Sequence, residues 1–257
     1  MHVRAKKRLG QHFLTDHNIA RKIACSLRMK GTVIEVGPGT GMLTRYLLER
    51  QDLDLYLVEV DRESVDYLIS MEPRLRKRII HADILEFNPA ILPPGELGII
   101  GNFPYNISSQ IFFKILEHRQ RICEVVCMVQ REVAERISAR AGSRTYGILS
   151  VLLQAFFNIE YLFSVSEKVF YPMPRVKSAV IRLERKAEQR LSCDEEWFFR
   201  LVKTAFNQRR KTLRNSLKGI ITAGCPQDPV FSLRPEQLDV DQFVRLATLL
   251  SPGSPGV

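Results

Sequence analysis

Glycines stand at alternate positions in Glu35-Val36-Gly37-Pro38-Gly39-Thr40-Gly41, after an apolar run and before a helical pattern, so backbone there can approach a bound ligand closely. The spacing is not the G-x-G-x-x-G of dinucleotide sites, and such a turn can also serve simply to pack a helix on a strand. Two acidic residues add weight. Glu59 closes the next apolar run about twenty residues on, where a carboxylate can accept hydrogen bonds from both hydroxyls of a ribose. Asp83 closes the third run, where it can accept from an adenine amino group. The bland alternative makes both solvated residues at strand ends, which is common singly and less expected twice on successive strands of one sheet. The pattern favours an adenosyl cofactor held by Gly37, Gly39, Glu59 and Asp83.

A fourth apolar run ends in Asn102-Phe103-Pro104-Tyr105. The amino nitrogen of adenine is a poor nucleophile because its lone pair is delocalised into the ring. A side-chain carbonyl from Asn102 and a backbone carbonyl from Phe103 can accept its two N–H bonds and bias it toward tetrahedral geometry. Tyr105 would stack on the ring, and Pro104 would stiffen the turn. A methyl group arriving on a positively charged sulfur would need neither a metal nor a covalent enzyme nucleophile. On the tetrapeptide alone, an ordinary Asn/Pro turn with a packed tyrosine explains these residues equally well.

Elements that could position these groups follow from the periodicity. Strands are expected at residues 32–36, 55–60, 78–82, 97–101 and 124–130, with helices at about 42–50, from Ser64, and near 110–117. Residues 179–183 alternate like a late antiparallel strand. That rhythm is a doubly wound, mostly parallel, Rossmann-like α/β sheet. The polar stretch 184–196 marks a boundary, giving one domain over residues 1–184 and a small helical one over 185–257. Trp197, Phe198, Leu201, Val202 and Ala205 lie at helical spacing, Pro235 can open a later helix bearing Leu238, Phe243, Leu246 and Leu250, and the tail from Ser251 is expected to fray.

Composition limits the function classes. With 257 residues, 45% hydrophobic and 26% charged, the chain can bury a real core and is neither disordered nor membrane-spanning. A net charge of +10 favours a polyanionic partner, nucleic acid ahead of an acidic membrane surface. Five scattered cysteines without C-x-x-C spacing read as reduced, buried thiols of a cytoplasmic protein, and neither they nor the five histidines form a metal cluster. The basic start, residues 3–8, lacks the apolar stretch of a secretory signal.

Taken together, the chain resembles the ribosomal RNA adenine dimethyltransferase family, on its small-subunit side. The likeness runs from Lys7-Arg8-Leu9-Gly10-Gln11-His12-Phe13-Leu14 through the glycine turn, Glu59, Asp83 and Asn102-Phe103-Pro104-Tyr105-Asn106-Ile107-Ser108 to Phe170-Tyr171-Pro172-Met173-Pro174-Arg175-Val176-Lys177-Ser178. It implies a methyltransferase domain followed by a small helical one, S-adenosyl-L-methionine as cofactor, and two methyl groups placed on each of two adjacent adenosines near the 3′ end of small-subunit rRNA. The implied cofactor contacts are His12, Leu14, Gly37, Glu59, Asp83 and Asn102, with His12 where an asparagine often stands. Tyr105 corresponds to the family's tyrosine platform. Phe170 corresponds to a second aromatic facing the target base, against which stands a plain core phenylalanine. The resemblance further implies a monomer that binds rRNA within an immature small subunit.

For RNA docking, residues 3–22 hold six Lys/Arg against one Asp, and residues 203–218 hold six against no acid. Arg209, Arg210, Lys211 and Arg214, with Lys203 and Lys218, can line phosphate contacts on or beside a helix, and Arg140 and Arg144 flank a Gly/Ser turn. A stacked or paired adenine must be splayed out to reach Asn102, which suits a broad basic surface around a small pocket. Three other readings compete: a large-subunit adenine methyltransferase, a non-catalytic rRNA-binding assembly factor, and a nicotinamide-dependent oxidoreductase. Residues 9–14 and the C-terminal region lean to the small-subunit side. Intact Asn102, Tyr105 and Glu59 disfavour the non-catalytic reading, and the glycine spacing disfavours the nicotinamide one.

Overall fold

A computed structural model describes residues 3–188, 190–221 and 227–251. Cys225 and the expected frayed tail from residue 252 lie outside the described residues. The chain forms two compact units, Met1–Ala134 with Asn158–Arg185, and Glu135–Phe157 with Lys186–Val257.

In chain order the first unit carries β1 (Phe13–Leu14), α1 (His17–Ser26), β2 (Gly31–Val36), α2 (Met42–Leu47), β3 (Leu53–Glu59), α3 (Arg62–Met71), β4 (Ile79–His81), β5 (Leu97–Asn102), α4 (Ser108–Glu117) and β6 (Ile122–Gln130). Next along the chain come α5 (Arg131–Ile137), α6 (Ile148–Phe156) and β7 (Phe157–Val165), then β8 (Phe170–Tyr171) and β9 (Ser178–Arg185). Seven strands pair in the order β4-β3-β2-β5-β6-β9-β7, and β1 pairs with β8 in a separate two-stranded ribbon. The strands from β4 through β6 are parallel, and β9 runs antiparallel to β6. Helices covering both faces of a parallel sheet demand apolar side chains on both faces, which is why the last four residues of β2 and the first five of β5 are buried without alternation.

From β2 the chain steps outward through β3 and β4, then returns to place β5 on the other side of β2. This reversal opens a crevice at the carboxyl ends of β2 and β5, the usual ligand position in such sheets. Gly101 makes the close pairing possible: a Cβ there would lie 2.5 Å from the Val36 carbonyl oxygen.

In the second unit α7 (Glu195–Asn207), α8 (Leu213–Ser216) and α9 (Val240–Leu249) join α6. Asp194 caps α7 by accepting from the Trp197 amide at 2.7 Å, and the Trp197 indole donates to the Ala247 carbonyl at 3.0 Å, fastening α7 to α9. Phe206 packs between Tyr146 and Phe243. Residues 135–157 pack into this unit, whereas the composition boundary alone assigns everything before residue 185 to the first. The segment's helix α6 is buried nearly all round, and the polar turn before it reads as an ordinary loop within one domain. Pro235 opens a short 3₁₀ turn, Pro235–Gln237, and not the final α-helix, which Asp239 begins through a capping box with Gln242.

Among the described cysteines Cys127 is buried, Cys123 and Cys193 are half-buried and Cys25 is exposed, so burial of all five thiols is not what the fold provides. No described helix is long and apolar enough to cross a membrane.

Candidate active site

An open cavity of about 260 Å³ lies in the crevice at the strand ends. It is lined by His12, Gly37, Gly39, Glu59, Asp83 and Asn102 to Tyr105, so nine of the residues singled out from the sequence meet at one place. Leu14 and Phe170 do not line it. They pair across the β1–β8 ribbon and are buried in the apolar core, Phe170 at 4% exposure. Period-two alternation turns Phe170 inward and leaves its neighbour Tyr171 outward.

Gly37 and Gly39 both adopt left-handed backbone, at φ 64° and 56°. At Gly39 the conformation is reinforced by packing, since a Cβ would stand 2.8 Å from the Phe13 ring. Behind the turn lies Glu59, 3% exposed, whose two carboxylate oxygens accept from the amides of Gly39 at 3.0 Å and Asp61 at 2.8 Å. One side chain thus fixes the glycine turn and still has lone pairs for further donors. Burial is the main influence on this carboxyl and raises its pKa, against the opposing backbone amides. Deeper still, Glu35 is fully buried, and burial, aided by the charge of Glu59, raises its pKa to about 8.

Asp83 accepts from the Leu85 amide at 2.9 Å, which holds its carboxyl at the cavity wall. Asn102, at the end of β5, donates through Nδ2 to the His12 carbonyl at 2.8 Å. That bond decides which way the amide faces, and Asn102 Oδ1 is buried with no hydrogen-bond partner. An unmet buried carbonyl is costly unless a donor arrives. Phe103 lines the cavity and is buried, its amide held on the Met128 carbonyl at 3.0 Å and its ring on Phe112. Tyr105 is held on two sides, by a hydroxyl bond to Ser178 and by the His12 ring stacked at 5.2 Å. The side chain of His12 also bonds the Pro172 carbonyl through Nδ1 at 2.7 Å. The contact that orients Asn102 comes from the His12 backbone carbonyl, which any residue at this position presents.

Sequence reasoning passes over the ties that fasten the N-terminal segment across the cavity. Lys6 Nζ meets Asp61 at 2.5 Å and Glu63 at 3.1 Å, and Gln11 bridges the Lys6 amide and Asp61. Although burial opposes it, the bonds from Lys6 and Gln11 hold the Asp61 carboxyl below its ordinary pKa. Asp61 opening a helix has a readable capping signature, but its bond to a residue some fifty positions away has none.

The basic candidates from Arg209 to Arg214 lie in the second unit and are organised differently. Arg210, Lys211 and Arg214 are exposed in and just after the turn between α7 and α8, so they lie beside α7 and at the start of α8. Arg209 is half-buried, donates to the Arg144 carbonyl and lies 3.9 Å from Glu236. It braces the turn.

The left-handed glycine cradle braced by a buried carboxylate fits an adenosyl ligand, and the orphan carbonyl of Asn102 fits an incoming N–H donor. Among the described residues no cluster of three or more His, Cys, Asp or Glu could hold a metal.

The family profile described as Ribosomal RNA adenine dimethylase matches residues 2–244. A protein of Cytophaga hutchinsonii named Ribosomal RNA small subunit methyltransferase A is 52% identical over 97% of this chain and 98% of its own. Its namesake in Parabacteroides distasonis is 54% identical over 97% of this chain and 94% of its own. Among solved structures, a dimethyladenosine transferase from Plasmodium falciparum superposes with a TM-score of 0.77 at 23% identity, covering 91% of this chain and 96% of that one. The 23S rRNA methyltransferase ErmE superposes with a TM-score of 0.64 at 27% identity, covering 93% and 99%.

Proposed function

The chain belongs to the ribosomal RNA adenine dimethylase family, and from that premise we infer that it transfers methyl groups from S-adenosyl-L-methionine to the N6 amino groups of two adjacent adenosines near the 3′ end of small-subunit (16S) rRNA. The observation that carries the chemistry is the buried, unpartnered Oδ1 of Asn102 at the cavity wall. S-adenosyl-L-methionine supplies an electrophilic methyl on sulfonium when bound. Gly37, Gly39, Glu59 and Asp83 would hold its adenosyl part, Glu59 through ribose hydroxyls and Asp83 through the adenine amino group. Asn102 Oδ1 and the Phe103 carbonyl would accept from the target amino group. Such acceptance localises the nitrogen lone pair and strengthens as positive charge develops there, so it stabilises the transition state more than the bound substrate. Tyr105 offers the ring face for stacking.

The greater identity to small-subunit relatives than to the large-subunit enzyme favours 16S rRNA over 23S. The same reading places the protein in the cytoplasm, acting as a monomer on an immature small subunit, with Arg210, Lys211 and Arg214 on RNA phosphates and no metal in the reaction. Mass spectrometry of rRNA from cells with and without the protein tests it. Adjacent dimethyladenosines near the small-subunit 3′ end should vanish without the protein; their persistence, or loss of a large-subunit methyl group instead, overturns the reading.

A further inference from the structure

Beside the cavity, the chain from β8 to β9 carries an aromatic that the reaction chemistry leaves without a task. Tyr171 is 72% exposed and Met173 63% exposed, an unusual display of apolar surface on a protein whose neighbouring Phe170 is buried. Tyr171 pairs with Phe13, the residue packed over Gly39. The next carbonyl, of Pro172, receives His12 Nδ1, and the segment ends at Ser178 on the Tyr105 hydroxyl. Both ends of the segment are therefore fastened to the groups that surround the target position. Between them Arg175 and Lys177 are exposed, with no ion-pair partner among the described residues, and no acidic residue occurs from Lys168 to Leu183.

We propose that Tyr171 is a stacking platform for the nucleotide next to the target adenosine, with Arg175 and Lys177 on the adjoining phosphates. This rests on the rRNA adenine reading above. An exposed aromatic face flanked by unpaired cations matches a single-stranded nucleic acid, whose bases present π-faces and whose backbone presents anions at each step. A protein partner would more usually meet a larger contiguous apolar patch with depleted charge at its centre. Stacking here explains how a protein can hold a splayed strand while one base enters the cavity: the neighbour is gripped outside as the target is gripped inside.

A cycle of binding measurements tests the pairing directly. Two single-stranded oligoribonucleotides carrying the 3′-terminal rRNA sequence are used, one intact and one abasic at the nucleotide beside the target adenosine. Tyr171→Ala should weaken binding of the intact strand about tenfold and binding of the abasic strand less than twofold, while Tyr171→Phe matches wild type on both. Equal losses on both strands, or no loss on the intact one, overturn the proposal. So does any fall in cofactor affinity in Tyr171→Ala, since that would mean the ribbon had shifted. If Tyr171→Ala binds both strands like wild type but binds immature small subunits more weakly, the surface takes a protein and the proposal also fails. Failure of the rRNA adenine reading is visible separately, in wild-type protein that transfers no methyl group to under-methylated small subunits.

Discussion

The cavity and the basic turn are both functional candidates, yet they are built in opposite ways. In the cavity almost every polar candidate is already held by a named partner: Glu59 by two amides, Asp83 by Leu85, Asn102 by His12, Tyr105 by Ser178. The atom left unmet, Asn102 Oδ1, is the one the proposed chemistry uses. In the turn after α7, Arg210 and Lys211 stand in solvent, whereas Arg209 is half-buried and donates to the Arg144 carbonyl. Stabilising a transition state requires groups fixed before the substrate arrives. Neutralising phosphates requires charge that remains free to follow an irregular strand. Fixation marks the first kind of site and exposure the second.

Perturbing the frame of the cavity should have the largest effect. Gly101→Ala forces a methyl group against the Val36 carbonyl at the carboxyl end of a buried strand pair, where neither backbone can yield cheaply. A loss of about 3 kcal/mol or more is expected in urea unfolding, with cofactor binding lost alongside. A variant as stable as wild type would mean that the switch point is looser than its geometry indicates.

Next in size is a dependence on pH. The folded-state pKa of Glu35, about 8, lies above its ordinary 4.5, so between these values the folded chain keeps a proton that the unfolded chain gives up. The contribution of this group to stability is thus fully present below pH 4.5 and is lost as pH rises through about 8. Glu35→Gln cannot ionise and should gain on wild type across that window, reaching on the order of a few kcal/mol by about pH 9. Unfolding midpoints at about pH 5.5, 7 and 9 check this. A difference that stays constant with pH removes the buried acid as the cause.

Glu59→Ala removes a carboxylate that serves both the glycine turn and the proposed ribose contacts. Cofactor affinity measured by calorimetry should fall about tenfold or more, equivalent to at least ~1.4 kcal/mol. Unchanged affinity in a folded variant would take Glu59 out of the site. The smallest and most selective effect belongs to Arg210→Ala with Lys211→Ala. RNA affinity should weaken several-fold, and its slope against log salt should flatten by about 1.5, without any change in cofactor binding. Arg209→Ala, by contrast, should lower the stability of the protein. If it alters the salt slope instead, the division between brace and phosphate contact is wrong.

Much of the cavity was legible because its parts sit at strand ends in a regular βα rhythm, where a carboxylate's position follows from counting. The sheet's parallel half and its late antiparallel strand were legible for the same reason. What the sequence left out is contact between distant segments. Nothing local marks Phe13 as the roof of Gly39, Ser178 as the anchor of Tyr105, or Asp61 as the clasp of Lys6 and Gln11. Phe170 and Tyr171 illustrate the same limit. Both are aromatic and adjacent, and only the pairing of a two-residue ribbon decides which one enters the core. The second unit was half legible: α7 shows its apolar face, but residues 135–157 join it through packing that no composition shift announces.

The central claim is that the unmet carbonyl of Asn102 acts on the transition state. The most direct measurement is single-turnover methyl transfer from labelled cofactor to under-methylated small subunits, at saturating cofactor, comparing wild type with Asn102→Ala. The account predicts a rate lower by about a hundredfold or more with cofactor affinity much less changed. A folded Asn102→Ala protein that turns over at nearly the wild-type rate would contradict it.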